Sequence, residues 1–403
     1  MCAVGRRKLT VLAIGAVGLA GALTLAAFAA PDRAQASTRS RIPSDLDEVI
    51  ATVPPRDPDE LAARRALATS PDALEIAVSL ARAEIQRARA TSDPRYLGRA
   101  QATLAPWWNI AEAPADVLLV RATILQSLHD FPAARADLDR LITVRPDDAQ
   151  AHLTRAVVAT VTGDYAAARA SCAAVATLSN AVIAATCVAP LDGLAGHADE
   201  AYAHLAKVLA GTRAQTELRG WAETALAELA IQRGDTDAAL AHLQAIVARD
   251  PSDAYGRAAL ADVLMATGRA AEASELLAGH EQIDSALVRR AIAEHIIHGP
   301  DEARVVQMMR DRIAAAAERG DRIHLREEAR FALEVDADAA KAVRTARDNW
   351  SVQKELADAR LLAQTAVAAR DAEAAAPVIA WVAATGVHDA QLDRWLRQLE
   401  DAR

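Results

Sequence analysis

Aromatic side chains are scarce in this chain: six Trp, four Tyr and three Phe, 3 % of 403 residues. Hydrophobic residues still reach 52 %, so the core has to be built from Ala, Leu and Val. That suits thin, closely packed helical layers and excludes a thick interior centred on large rings. Strand signals are also missing, because no segment alternates apolar and polar residues for long enough between turn residues. The sequence has no Gly-x-Ser-x-Gly elbow, no phosphate-binding Gly-rich loop ending in Lys-Ser/Thr and no His-Glu-x-x-His pair. A basic excess is absent too: the formal charge is −9, and an acidic body is a poor nucleic-acid binder because attraction to phosphate needs a basic surface. The nearest approach to a metal site is Glu294-His295 with His298. Three ligands from one helical turn rarely complete a tetrahedral shell, and histidine is favoured at a helix C-terminus by the dipole. No metal, cofactor or catalytic residue is expected.

What the chain has is repetition. From Ala115 to Leu287 it restates one pattern five times, with copies starting at Ala115, Ala149, near Val182, at Gly220 and at Ala254. The first reads His129-Asp130-Phe131 at a turn, then Ala134, Leu138, Leu141 and Pro146. The second reads Ala156, Gly163-Asp164-Tyr165, Ala168 and Cys172, and the third Ala189, Gly196-His197-Ala198, Ala201 and Leu205. An insert around Gly211 to Arg219 shifts the frame before the fourth, with Ala227, Gly234-Asp235-Thr236, Ala239, Leu243, Ile246 and Pro251. The fifth reads Ala261, Gly268-Arg269-Ala270, Ala273 and Leu277. Two antiparallel helices approach closely only where side chains are small, hence the paired alanines. Glycine supplies the left-handed residue that closes the first helix, the following Asp or Thr can cap the second, and Pro ends it.

A spacing of 34 residues or close multiples with these residue types resembles the tetratricopeptide repeat family. The resemblance implies an all-α fold, a right-handed α-α superhelix with degenerate helical repeats at both ends. Residues 58–114 are expected as an N-terminal repeat-like segment with helices at Pro58–Thr69, Asp72–Arg89 and Tyr96–Leu104. Residues 115–287 hold the five repeats, and 288–403 hold degenerate repeats and a cap. In that last part helices are expected at Asp301–Arg319, Ile323–Leu333, Ala337–Arg347, Leu356–Ala369, Ala374–Ala384 and Asp389–Glu400, with a break at Asn349-Trp350-Ser351. The stretch Trp350-Ser351-Val352-Gln353 with Asp358-Ala359-Arg360-Leu361 is similar to the tail of exported bacterial tetratricopeptide proteins and implies no activity. The flanks read as a continuation of one long stack to the C-terminus.

The resemblance also implies a concave groove lined by fixed positions of each first helix. Here these are Asp116, Leu119, Thr123 and Gln126, then Gln150, Leu153 and Val157, then Ile183 and Thr186. Trp221, Thr224, Glu228 and Gln232 follow, then Tyr255, Asp262 and Met265. Lysine and arginine are absent from that set, which departs from members that grip a peptide's terminal carboxylate. Trp221 and Tyr255, one repeat apart, either hold an apolar or cationic side chain beside Glu228 and Asp262 or pack between neighbouring helices. Cys172 and Cys187 fall on helices of the second and third copies that face each other across Asn180. A disulfide and a pair of small buried hydrophobes are both open readings.

The first residues carry a second message. Arg6, Arg7 and Lys8 precede an uncharged run from Leu9 to Ala30, and Ala34-Gln35-Ala36 offers small residues at the spacing a signal peptidase reads. Residues 1–36 are expected as a signal peptide and 37–57 as a linker, the alternative being an inner-membrane anchor formed by residues 9–30. Cleavage would remove three net positive charges and leave −12. The function expected is a non-catalytic exported scaffold or adaptor that binds a protein or peptide partner in the periplasm, or in secreted form. The alternative is an accessory subunit of an envelope assembly or export complex.

Overall fold

A computed structural model describes residues 57–91, 93–212, 216–320 and 324–401, with Asp45 and Arg322 besides. The expected signal peptide, and the linker apart from Asp45 and Asp57, lie outside these residues. The chain divides into two compact units at Pro55/Arg56; the repeats and both of their helical flanks belong to the second. Its described residues form helices and no strands.

Ahead of the repeats lie α1 (Pro58–Thr69), α2 (Leu74–Thr91), α3 (Arg95–Thr103) and the short α4 (Ala105–Trp108). The five copies are the helix pairs α5 (Ala115–Ser127) and α6 (Phe131–Val144), α7 (Ala149–Thr162) and α8 (Tyr165–Leu178), α9 (Ala181–Leu194) and α10 (Ala198–Ala210), α11 (Thr216–Arg233) and α12 (Thr236–Arg249), and α13 (Ala254–Ala266) and α14 (Ala270–Leu277). Three further pairs follow: α15 (Asp284–Ile297) and α16 (Glu302–Arg319), α17 (Leu325–Glu334) and α18 (Ala339–Val352), and α19 (Leu356–Ala369) and α20 (Ala376–Thr385). α21 (Ala390–Asp401) ends the array.

The repeat residues act as their chemistry dictates. Ala122, Ala134, Ala156, Ala168, Ala189, Ala201, Ala227, Ala239, Ala261 and Ala273 are all buried where paired helices meet. The turn glycines Gly163, Gly196, Gly234 and Gly268 all have φ between 76° and 86°, a region open to glycine at little cost. The aspartate after the turn then caps the second helix: Asp130 accepts from Ala133 N at 3.2 Å, Asp164 from Ala167 N at 3.1 Å and Asp235 from Ala238 N at 3.1 Å. In the first copy His129 takes the left-handed place, at φ 60°.

Several helix ends lie one or two residues from expectation, and two boundaries differ further. α11 begins at Thr216, so Gly220 lies inside the first helix of the fourth copy and does not open it. α18 runs through Asn349-Trp350-Ser351 to Val352. The expected break fails there because both flanking polar groups are satisfied locally: Asn349 Nδ2 donates to Asp358 at 2.6 Å and Gln353 Nε2 to Asn349 at 3.1 Å. Trp350 meanwhile is buried edge-on against Trp381, ring centroids 5.4 Å apart. The break lies instead at the extended residues Gln353 and Glu355.

The stack runs on to the described C-terminal helices as expected, and it also returns on itself. The C-terminal pairs return to the turns of the second, third and fourth copies. Lys354 N donates to Val161 O at 2.7 Å, and a Cβ on Gly163 would meet Lys354 Cδ at 3.2 Å. A Cβ on Gly196 would lie 2.6 Å from Gly386 O, and one on Gly234 would lie 3.0 Å from Ala390 Cβ. Leu194 and Tyr165 join the apolar cluster built by Trp350, Leu362, Val378 and Trp381. Gly163, Gly196 and Gly234 therefore serve twice: they close their first helices and leave room for the returning chain.

Candidate binding groove

Tyr255, on α13, and Glu228, on the neighbouring α11, form the centre of the candidate site. The Tyr255 hydroxyl donates a hydrogen bond to Glu228 Oε1. Tyr255 is 53 % exposed, yet burial by its neighbours pushes its hydroxyl pKa well up, with Glu228 and then Glu355 adding to the effect. Glu228 is exposed on the same inner side. Burial within the array raises its pKa, the Tyr255 hydrogen bond opposes that, and Glu355 adds to it.

Across the groove stand side chains from the C-terminal pairs. Arg326, on α17, is forked onto Asp358 at 2.6 and 2.9 Å and also pairs with Glu355. Arg360, on α19, is forked onto Asp389 at 2.5 and 3.0 Å. Further along α13, Asp262 is held between Arg289 at 2.7 Å and Arg330 at 2.8 Å. Burial works to raise the Asp262 pKa, but the two guanidinium groups outweigh it and hold it below the usual carboxylate range.

Sequence comparison agrees with the geometry. The tetratricopeptide repeat pattern matches residues 119–182, 194–261 and 230–293. The chain carries tetratricopeptide repeats over these residues. No curated protein sequence matches it. Among solved structures it is similar to a tetratricopeptide repeat protein from Parabacteroides merdae, with 14 % identity over 71 % of this chain and 99 % of that one, at a TM-score of 0.37. It is also similar to PilW, a type IV pilus biogenesis factor (16 % identity, 70 % and 98 % covered, TM-score 0.35). A Rap protein complexed with competence and sporulation factor is a third (13 %, 81 % and 99 %, TM-score 0.43).

Within this tetratricopeptide array the sequence-read groove residues separate into distinct groups. Glu228 and Tyr255 are brought together. Asp262 lies on the same helix as Tyr255 but is neutralised by its two arginines and is not the free negative charge expected. Gln232 leaves the groove altogether: it is buried, and its Nε2 donates to Gly193 O at 2.9 Å and His388 O at 2.8 Å, joining the third copy to the returning C-terminus. Trp221 is partly buried against the cluster of Cys172, Cys187 and Leu191 with Leu153 and Ile183, which is the packing alternative of the two read from sequence. Thr224 turns its hydroxyl back to Gly220 O at 3.0 Å, leaving its methyl as the group it can offer. Asp116 is paired outward with Arg145 at 3.1 Å, and Gln150 spans to Thr154 at 3.3 Å. Gln126 is partly exposed on α5.

The structure joins Cys172 of α8 to Cys187 of α9 in a disulfide, with Cα atoms 5.7 Å apart. Glu294 and its histidines do not converge. Glu294 is buried and engaged by Ser274 and by Asp301 N, His295 Nδ1 lies 2.7 Å from Glu302, and His298 caps α15 in the left-handed region at φ 49°. Among the described residues no group of three or more metal-ligating side chains is assembled, and no helix is long and apolar enough to cross a membrane.

Sequence reasoning missed the basic side of the groove. Arg289, Arg326, Arg330 and Arg360 come from α15 and from degenerate pairs outside the five clear copies. One signal was available: Arg326 and Arg330 are four apart, hence on one face of α17.

Proposed function

We propose that this tetratricopeptide-repeat protein is a non-catalytic scaffold, exported to the periplasm, that holds an extended segment of a partner protein along its inner face. The observation that carries the reading is the exposed Tyr255, hydrogen-bonded to Glu228 on the inner side. A large ring left half in water on a repeat array's binding face is a surface for a guest. Export is supported by the basic and apolar N-terminal pattern at Arg6 to Ala30, and by the Cys172–Cys187 bridge, a linkage favoured in oxidising compartments. The partner is a protein and not nucleic acid, in keeping with the acidic charge.

A photoreactive residue placed at Thr224 tests this in intact cells. Capture of a protein from that position, in the periplasmic fraction, is the expected result. Capture only from positions on the outer face, or protein confined to the cytoplasm, would overturn it. A second reading, an accessory subunit of an envelope assembly or export complex, is favoured by the uncharged run Leu9 to Ala30, which is long enough to anchor the chain. Intact mass separates the two, since an anchored subunit retains residues 1–36.

A further inference from the structure

We propose that the inner face reads a lysine or arginine side chain in the partner's extended segment, with Glu228 as its counter-ion and the Tyr255 ring as the wall along its aliphatic stem. This deepens the scaffold reading and rests on it.

Three observations point to a basic occupant. The first is a charge imbalance. The arginines facing this part of the groove are already engaged, Arg326 by Asp358 and Glu355, and Arg360 by Asp389. Pairing Arg326 with Asp358 and Arg360 with Asp389 leaves Glu228 and Glu355 in excess. Among the described residues Glu228 has no basic partner within ion-pair distance, and its hydrogen bond comes from the neutral Tyr255 hydroxyl. A carboxylate among surrounding protein attracts a cation more strongly than one in open water, because the effective dielectric is lower.

The second observation is the free ring. Elsewhere this chain covers tyrosines with its own guanidinium groups, Arg99 over Tyr96 at 4.8 Å and Arg233 over Tyr202 at 4.6 Å. Among the described residues nothing covers Tyr255 in this way, although it is the more exposed ring at 53 %. Its hydroxyl is anchored on Glu228, which fixes the ring beside the carboxylate. A side chain whose ammonium or guanidinium reaches Glu228 would lay its methylenes and its charge against that ring.

The third is the lack of competitors nearby. Asp262, the other acid on α13, is saturated by Arg289 and Arg330, and Glu355 is held by Arg326, so among the described residues Glu228 is the carboxylate of this group with no guanidinium of its own. The Thr224 hydroxyl is turned back into its helix, which leaves an apolar approach one turn before Glu228.

Titration calorimetry on the full chain tests the proposal with three blocked decapeptides, identical except that alternate positions carry lysine, norleucine or glutamate. The lysine peptide should bind about tenfold or more tighter than the norleucine peptide, the size of a partly desolvated ion and ring contact. Glu228→Gln should bring lysine binding down to the norleucine level, and Tyr255→Leu should weaken it severalfold. Tyr255→Phe, which keeps the ring, should retain it. Helical spectra and an intact disulfide show that each variant is folded. Equal binding of the lysine and norleucine peptides, no lysine binding at all, or a Glu228→Gln variant as good as the parent would overturn the proposal. Cadaverine competing as well as the peptide would overturn a protein segment as the occupant. Capture from Thr224 that persists in Glu228→Gln, with peptides bound regardless of charge, would sink the cation seat and leave the scaffold standing. Loss of capture in the unmodified chain would sink the scaffold itself.

Discussion

The indole Nε1 of Trp381 donates to the hydroxyl of Tyr165 at 2.6 Å, across a sequence separation of 216 residues. Tyr165 opens the second helix of the second copy, and Trp381 lies in the penultimate helix. Burial raises the Tyr165 pKa and the indole hydrogen bond opposes the shift. Tyr165→Phe should cost about 1 kcal/mol, and more if the indole N–H is left without a partner. Thermal unfolding of the variant checks this, and a midpoint equal to the parent's would show that the contact adds nothing.

Two glycines with matching backbones separate conformational cost from docking. Gly196 and Gly268 have φ of 86° and 76°, but a Cβ at Gly196 would lie 2.6 Å from Gly386 O, whereas at Gly268 nothing lies within 4 Å. Gly268→Ala should therefore suffer only the strain of the left-handed conformation, about 1 kcal/mol. Gly196→Ala should suffer that strain and also push α20 and α21 off the turns. Hydrogen exchange in residues 376–401 should rise in Gly196→Ala and stay unchanged in Gly268→Ala.

Reducing the Cys172–Cys187 bridge frees a connection across 15 residues and should lower stability by about 3 kcal/mol on chain-entropy grounds. The double variant Cys172→Ala, Cys187→Ala should behave like reduced protein and be insensitive to reductant. Two thiols that label in denatured, unreduced protein would show that the bridge is not formed.

Acid should loosen α1 from α2. Arg87, then Arg64, hold Glu60 at a pKa of about 2 against 4.5 for a free glutamate. With the folded value depressed, this contribution is present above about pH 4.5 and is lost as pH falls toward 2. In Glu60→Gln the exchange of amides in residues 58–91 should no longer depend on pH across that window. Glu228 has the opposite sign. Its folded pKa is raised, mainly by burial, so stability falls as pH rises through that value, and Glu228→Gln should be at least as stable as the parent at neutral pH. A variant that binds worse while unfolding no sooner is the signature of a residue kept for its guest.

Asp262 lies between two largely buried guanidinium groups. Asp262→Ala would leave Arg289 and Arg330 facing each other, and a loss of about 1–2 kcal/mol is expected, because the aspartate is itself partly in solvent. Adding Arg330→Met should recover part of it. Chemical denaturation of the single and double variants measures the coupling.

The five copies were legible because their chemistry is local: alanine against alanine, glycine at a left-handed turn, aspartate on a helix end. The same letters at Gly163, Gly196 and Gly234 gave no sign that residues 354, 386 and 390 would come to rest on them. That contact depends on curvature accumulated over several pairs, and each pair records only its own geometry. Gln232 was misplaced for the same reason: its groove position was right by register, but the C-terminus reached it first. Glu228 and Tyr255 could be found because their neighbours are one repeat away. Arg326 and Arg360 could not be assigned to the groove, because the groove residues they face are far from them in sequence.

The returning C-terminus also limits how this array can change in length. An open solenoid gains or loses a unit at small penalty, since each unit meets only its neighbours. Here an inserted or deleted pair between the second copy and α20 would rotate Trp381 away from Tyr165, and one after the fourth copy would take His388 from Gln232 as well. The number of repeats is thus tied to the closure, and duplication, the usual route by which such arrays diversify, is blocked in the middle of this one.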